Sequence, residues 1–390
     1  MMLQLVRRFN REHPAIDVQV QRIPWGTYYN KLFVAGLADR APDVFVSHTI
    51  MLSRLARGGF IQPIDTLLAR APFFEHSDID DRVWRAVTLD GQRQGLPLDV
   101  HPLGLYYNRA LLRAAGIVDE KGEARPPRTW DEFVDAIRRL NRDDDGDGRI
   151  DRWGFVFEGT PFITLYTFML QHGGRILAPD GSVVINSPEN IAALQKARWL
   201  TIEEKLVPPP GDETAWTSFL QGRVGLFLGG IFLLGGLERQ PSLEFAVAPV
   251  PQFGPDRAIW GDSHVLCLPK HLDERQREAA WEFIAFLSNH SAEWARGGQV
   301  PVRNSQRATD TFRALPAQSV FAEGLPHVTY LPNVPVTAAI LRDLRFACEQ
   351  VVRGAATPEQ ALRRAQAEVE VTLARDRAQA ARLAAAGSAP

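Results

Sequence analysis

Four aspartates, Asp143, Asp145, Asp147 and Asp151, stand at the first, third, fifth and ninth places of the run Asp143-Asp144-Asp145-Gly146-Asp147-Gly148-Arg149-Ile150-Asp151. Gly148 is sixth and the Arg149 carbonyl seventh, the spacing of a calcium loop that turns oxygen donors toward one centre. An ion there would offset the mutual repulsion of the carboxylates. The twelfth place, which in such loops supplies a bidentate Glu, is Gly154, so a solvated acidic turn competes with the metal reading. The ion expected is structural, and no catalytic cofactor is expected.

A second set of residues suits a sugar. Its ring needs flat aromatic faces against the C–H surface, and its hydroxyls need carboxylates, amides or Arg. Trp25, Phe162, Phe232 and Trp260 fall at junctions between elements and loops, with polar neighbours. Core packing explains Phe162 and Phe232 equally well. Trp260, flanked by Gly261 and Asp262, fits stacking better than core. Enzyme signatures do not assemble. There is no His-Glu-x-x-His and no phosphate-binding glycine loop, and Gly261-Asp262-Ser263-His264 runs into Val265 where a nucleophile elbow needs Gly.

The elements that must position these residues are legible from period and punctuation. Leu3, Leu5, Val6 and Phe9 make a helical stripe, and Ile16–Gln21 alternates as a half-buried strand. Tyr29–Ala38 reads as a helix and Val44–Val46 as a buried strand, with Ser47 and His48 leaving its carboxyl end, where α/β sheets hold ligands. This strand–helix–strand rhythm predicts a largely parallel sheet covered by helices. Thr129-x-x-Glu132 reads as a capping box and Ser187-Pro188 as a helix start. Asp99 and His101 lie in a polar loop before the apolar run Leu103–Tyr107, and Asn108 leads into a short helix closed by Gly116.

That last segment, Gly95 to Leu112, resembles the signature of the family 1 extracellular solute-binding proteins, the receptors of bacterial ABC importers. The order of the other pieces resembles the same family over most of the chain: Pro42-Asp43-Val44-Phe45, Thr129-Trp130-Asp131-Glu132-Phe133, Trp216 with Phe219 and Gly222, Ala279-Ala280-Trp281-Glu282-Phe283, and Gly297-Gly298-Gln299-Val300-Pro301-Val302-Arg303. The resemblance implies an α/β fold of two lobes of the type II periplasmic binding kind, with mixed sheets flanked by helices and hinge crossings. It places lobe 1 at 1–108 plus 259–305, lobe 2 at 109–258 plus 306–375, and a frayed tail at 376–390. It points to Ser47, His48, Asp99, His101, Glu158, Phe232, Asp262, Ser263 and Arg303 as ligand contacts. Relatives begin with a signal peptide and a first strand. This sequence opens at the following helix, so that strand is expected to be truncated, misassigned or lost.

Composition agrees. The 390 residues suffice for two cores, and 45% hydrophobic with 23% charged residues is an ordinary globular balance. A formal charge of −2 lacks the basic excess of a nucleic-acid binder. Cys267 and Cys348 have no metal or redox spacing; one disulfide or two buried thiols both fit, the thiols better. The expected function is a monomeric, periplasmic or membrane-anchored extracellular receptor, not an enzyme. It would capture a carbohydrate or polyol by hinge closure and deliver it to ABC permease subunits. A cytoplasmic sugar-modifying enzyme and a non-transport sugar sensor are the alternatives.

Overall fold

A computed structural model of the chain describes residues 1–71, 74–158, 161–211 and 215–387. The chain divides into two units. The first comprises Met1–His101, Asp262–Ser319 and Asn333–Pro335; the second comprises Pro102–Gly261, Val320–Pro332 and Val336–Pro390. The chain passes between the units after His101, Gly261 and Ser319, where the sequence reading set crossings near 108, 258 and 305, and residues 333–335 return briefly to the first unit. Helix Pro358–Gly387 includes residues 376–387 of the expected tail, and residues 388–390 lie outside the described part.

In the first unit, strand His264–Pro269 is the organiser. It pairs antiparallel with Phe45–His48, Leu96–Pro97 and Ile61–Gln62. The expected parallel sheet is thus wrong here, because the strand that pairs with Phe45–His48 enters from the second unit and runs the opposite way. Helices Met2–Glu12 and Glu274–Asn289 meet through Phe9, whose ring lies 5.1 Å from Phe283 and 5.2 Å from Phe286. The predicted strand at Ile16–Gln21 does not form. The Asn10 side chain bonds the amide and carbonyl of Val18, at 3.1 and 3.0 Å, in place of a neighbouring strand.

In the second unit, strand Asp99–Asn108 contributes residues 103–108. It lies antiparallel to Val224–Gly230 and to Phe245–Ala248, and Trp153–Phe155 adds parallel to Val224–Gly230. Ile259 and Trp260 pair parallel with Val328 and Thr329. Phe133, Phe155, Phe168 and Phe253 form an aromatic core under helices Trp130–Leu140 and Phe162–Gln171. Caps form where the sequence places them, with one variation. Thr129 accepts the Glu132 amide at 3.3 Å, but the Glu132 carboxylate takes the Arg128 amide instead of Thr129's own. Asn108 caps helix Arg109–Ala114, which Gly116 ends at φ +68°. Among the described residues, no helix is long and apolar enough to cross a membrane. Cys267 and Cys348 are free and buried, one in each unit, and burial pushes the Cys348 thiol up to about 12.

Candidate ligand-binding site

Strand geometry gathers the polar residues of the first unit. Asp99 and His101 are two apart on one strand and so share a face. The antiparallel register sets His48 directly opposite His264. The result is a buried carboxylate ringed by imidazoles. Asp99, with no exposed surface, receives His264 Nδ1 at 2.8 Å, the His264 amide at 3.1 Å and Trp294 Nε1 at 2.6 Å. His101 Nδ1 lies 3.4 Å from Asp99 Oδ1. Burial alone would raise the Asp99 carboxyl, but His264 and His101 outweigh it and hold it well below the usual carboxylate range. Burial pulls His264 down, and Asp99 reverses this and leaves it raised.

His48 packs its ring 4.9 Å from that of His264 and 5.4 Å from that of His101. Its amide donates to the Tyr29 hydroxyl at 3.0 Å, and that hydroxyl meets His48 Nδ1 at 2.9 Å. Burial pushes His48 down to about 4, so the ring is neutral at physiological pH. Trp25 opens helix Trp25–Leu37 with its ring 4.9 Å from His48 and 5.6 Å from Tyr29, and it is 66% exposed. An aromatic face thus stands in solvent beside the half-buried His48 and Tyr29. Asp262 accepts both the amide and the hydroxyl of Thr49 and the amide of Ser263. Ser47, fully buried, donates to the His48 carbonyl at 3.2 Å.

Of the residues singled out in the sequence, the first unit therefore brings together Trp25, Ser47, His48, Asp99, His101, Asp262 and Ser263. Arg303 belongs to the same unit but is held in a buried ion pair with Asp78 at 2.7 Å and donates to Asn289 at 2.5 Å. Glu158, Phe162, Phe232 and Trp260 belong to the second unit. There Phe162 is buried and stacked on Tyr166 at 5.5 Å, while Phe232 is 48% exposed. Trp260 is buried and donates its amide to Thr167 Oγ1 at 3.2 Å, and Glu158 accepts the Trp216 amide at 3.4 Å. Sequence reasoning passed over His264, Trp294, Tyr29 and Thr49. Only His264 carried a signal, being the next polar residue after Asp262-Ser263.

The acidic loop gathers the ligand atoms of Asp143, Asp145 and Asp151 within 4.8 Å of one another. Asp143 accepts the amides of Gly146 and Gly148, and Asp144 pairs with Arg152. The glycine at the twelfth place has a packing reason. A Cβ on Gly154 would sit 2.6 Å from the Ile137 Cα, so no side chain fits there.

The chain thus forms two α/β units, the first of which gathers a cluster of polar and aromatic side chains around Asp99 and His48. Residues 2–294 match the bacterial extracellular solute-binding protein family, and the chain belongs to that family. A binding protein of Brucella abortus is 25% identical over 386 residues, covering 95% of this chain and 89% of its own. A sugar-binding protein of Xanthomonas citri superposes with a TM-score of 0.83 at 25% identity, covering 96% of this chain and 95% of that one. An ABC substrate-binding protein of Listeria monocytogenes, solved with cycloalternan, also gives 0.83 at 23% identity, with the same coverage. The two-lobe architecture expected from the sequence is that of these structures.

Proposed function

We propose that this chain is the extracytoplasmic receptor of an ABC importer. It captures a carbohydrate or polyol, leaves it chemically unchanged and delivers it to permease subunits. The observation that carries this reading is the exposed Trp25 ring 4.9 Å from the half-buried His48, whose ring packs in turn against His101 next to Asp99. An aromatic plane next to fixed donors and acceptors is what a pyranose requires. Family membership and the sugar-binding relatives support the same class. Hinge closure is the proposed mechanism, driven by whatever ligand contacts favour the closed state. The receptor acts as a monomer, in the periplasm or anchored outside the membrane, and Asp143, Asp145 and Asp151 hold a structural calcium ion.

The test is calorimetry against a panel of oligosaccharides and polyols, followed by chromatography of the recovered ligand. Saturable binding with unaltered ligand is expected. Recovery of a chemically changed ligand overturns the receptor reading in favour of an enzyme.

A further inference from the structure

His264 Nδ1 hydrogen-bonds Asp99 Oδ2 at 2.8 Å, and the wider spacing around Oδ1 also fits a shared ion. Asp99 Oδ1 lies 3.1 Å from His264 Nδ1 and 3.4 Å from His101 Nδ1. The second separation is long for a hydrogen bond. It is the separation expected of two atoms sharing a metal: with bonds of about 2.1 Å, ligand atoms at a tetrahedral angle stand roughly 3.4 Å apart. The same bond lengths turn a 3.1 Å separation into an angle near 95°. All three ligand atoms fall within 4.8 Å of one another.

We propose that Asp99, His101 and His264 form a binding site for a divalent transition metal ion. Two imidazoles and a carboxylate, with no thiolate, suit zinc, cobalt, nickel or manganese and not calcium or magnesium. The carboxylate is already oriented from behind. Trp294 Nε1 holds Oδ2 at 2.6 Å and the His264 amide holds Oδ1 at 3.1 Å, the kind of outer support that fixes a metal ligand. Both strands are locked by ladder pairing, Val100 with Val300 and Val265 with Pro97, so the donors need little rearrangement. Asp99 and His101 are buried, whereas the His264 side chain is 21% exposed and gives an ion a way in. On binding, each imidazole offers its Nδ1 lone pair and carries its proton on Nε2. His48 is not among the residues whose ligand atoms gather here.

The experiment uses the full chain stripped with chelator and titrated with zinc by calorimetry, alongside visible absorption on adding cobalt(II). One ion per chain is expected, with the intense cobalt bands of a low-coordinate nitrogen–oxygen site. His101→Gln and His264→Gln should each weaken zinc at least about 100-fold, and Trp294→Phe about 10- to 100-fold. Asp143→Ala combined with Asp145→Ala should leave zinc binding unchanged, which separates this site from the acidic loop. Urea melts check that each variant folds. The wild-type cobalt spectrum decides the matter even if a variant does not fold. A cobalt spectrum like that of the aqueous ion, or equal zinc affinity in wild type and folded His264→Gln, shows a hydrogen-bonded network only and overturns the proposal. Sugar affinity is measured separately with and without zinc, so either reading can fail while the other stands.

Discussion

Replacing Trp25 by Ala separates ligand binding from folding. The residue is 66% exposed, so of a Trp side chain of about 200 Å², roughly 130 Å² is open to solvent. A sugar ring covers one face, about half of that area. At ~25 cal/mol per Å², the lost burial is about 1.6 kcal/mol, or roughly 15-fold in Kd. The roughly 70 Å² buried in the free protein is worth about 1.7 kcal/mol at the same coefficient, so unfolding free energy should fall by no more than ~2 kcal/mol. Trp260→Ala is the counterpart. That residue is only 7% exposed, so the substitution should cost about 3–5 kcal/mol of stability. Its burial points to core packing, whereas its Gly261-Asp262 context points to stacking. The assays are calorimetric titration with the tightest ligand of the panel and urea melts without ligand. Unchanged affinity in Trp25→Ala, or a loss of several kcal/mol in its stability, would refute the assignment of this ring to the ligand.

Asp143→Ala combined with Asp145→Ala should abolish a calcium-dependent rise in melting temperature and leave sugar affinity nearly intact; a wild type whose melting ignores both calcium and chelator shows the loop to be a plain turn. Gly154→Glu, which supplies the acid missing at the twelfth place, should lower the melting temperature without tightening calcium, since its Cβ would meet the Ile137 backbone at 2.6 Å. A Gly154→Glu variant that melts like wild type contradicts that packing. Asp80 caps helix Asp81–Val87, and its hydrogen bonds from Arg82 hold its carboxyl down at about 2. Its folded value lies below the unfolded one of about 3.9, so its stabilising contribution is full above pH ~4 and fades as pH falls toward 2. Urea melts of Asp80→Asn should therefore differ from wild type at pH 6 and converge near pH 2, and a gap that stays constant speaks against the ionised cap.

Elements set by local rules were legible. The helical stripe of Leu3, Leu5, Val6 and Phe9, the apolar run Leu103–Tyr107, and the helix starts at Thr129 and Ser187 emerge where period and punctuation put them. The misreadings share one cause, which is that partners lie far away in the chain. Ile16–Gln21 has a strand's alternation but no strand beside it, and alternation reports only which faces differ. The sheet of the first unit looked parallel because its rhythm says nothing about a strand returning from beyond residue 260. The same return makes His264 the neighbour of His48, so the densest part of the candidate site was hidden although Asp99 and His101 were in view. Trp294 reaches Asp99 from a helix nearly two hundred residues later, and no spacing rule connects them.

The antiparallel pairing of Phe45 with Cys267 has a kinetic consequence. The segment Pro102–Gly261 of the second unit is made in one stretch, with its central pairings between Leu103–Asn108 and strands already synthesised by residue 248. The first unit cannot close its sheet until its middle strand emerges, more than two hundred residues after the edge strand it pairs with. Such non-local pairing forms slowly, and until it does the apolar face of Phe45–His48 has no cover. During synthesis the pairings around Leu103–Asn108 can therefore form before the first unit's sheet closes, and the amino-terminal hundred residues should stay open to proteases and holding chaperones for longer.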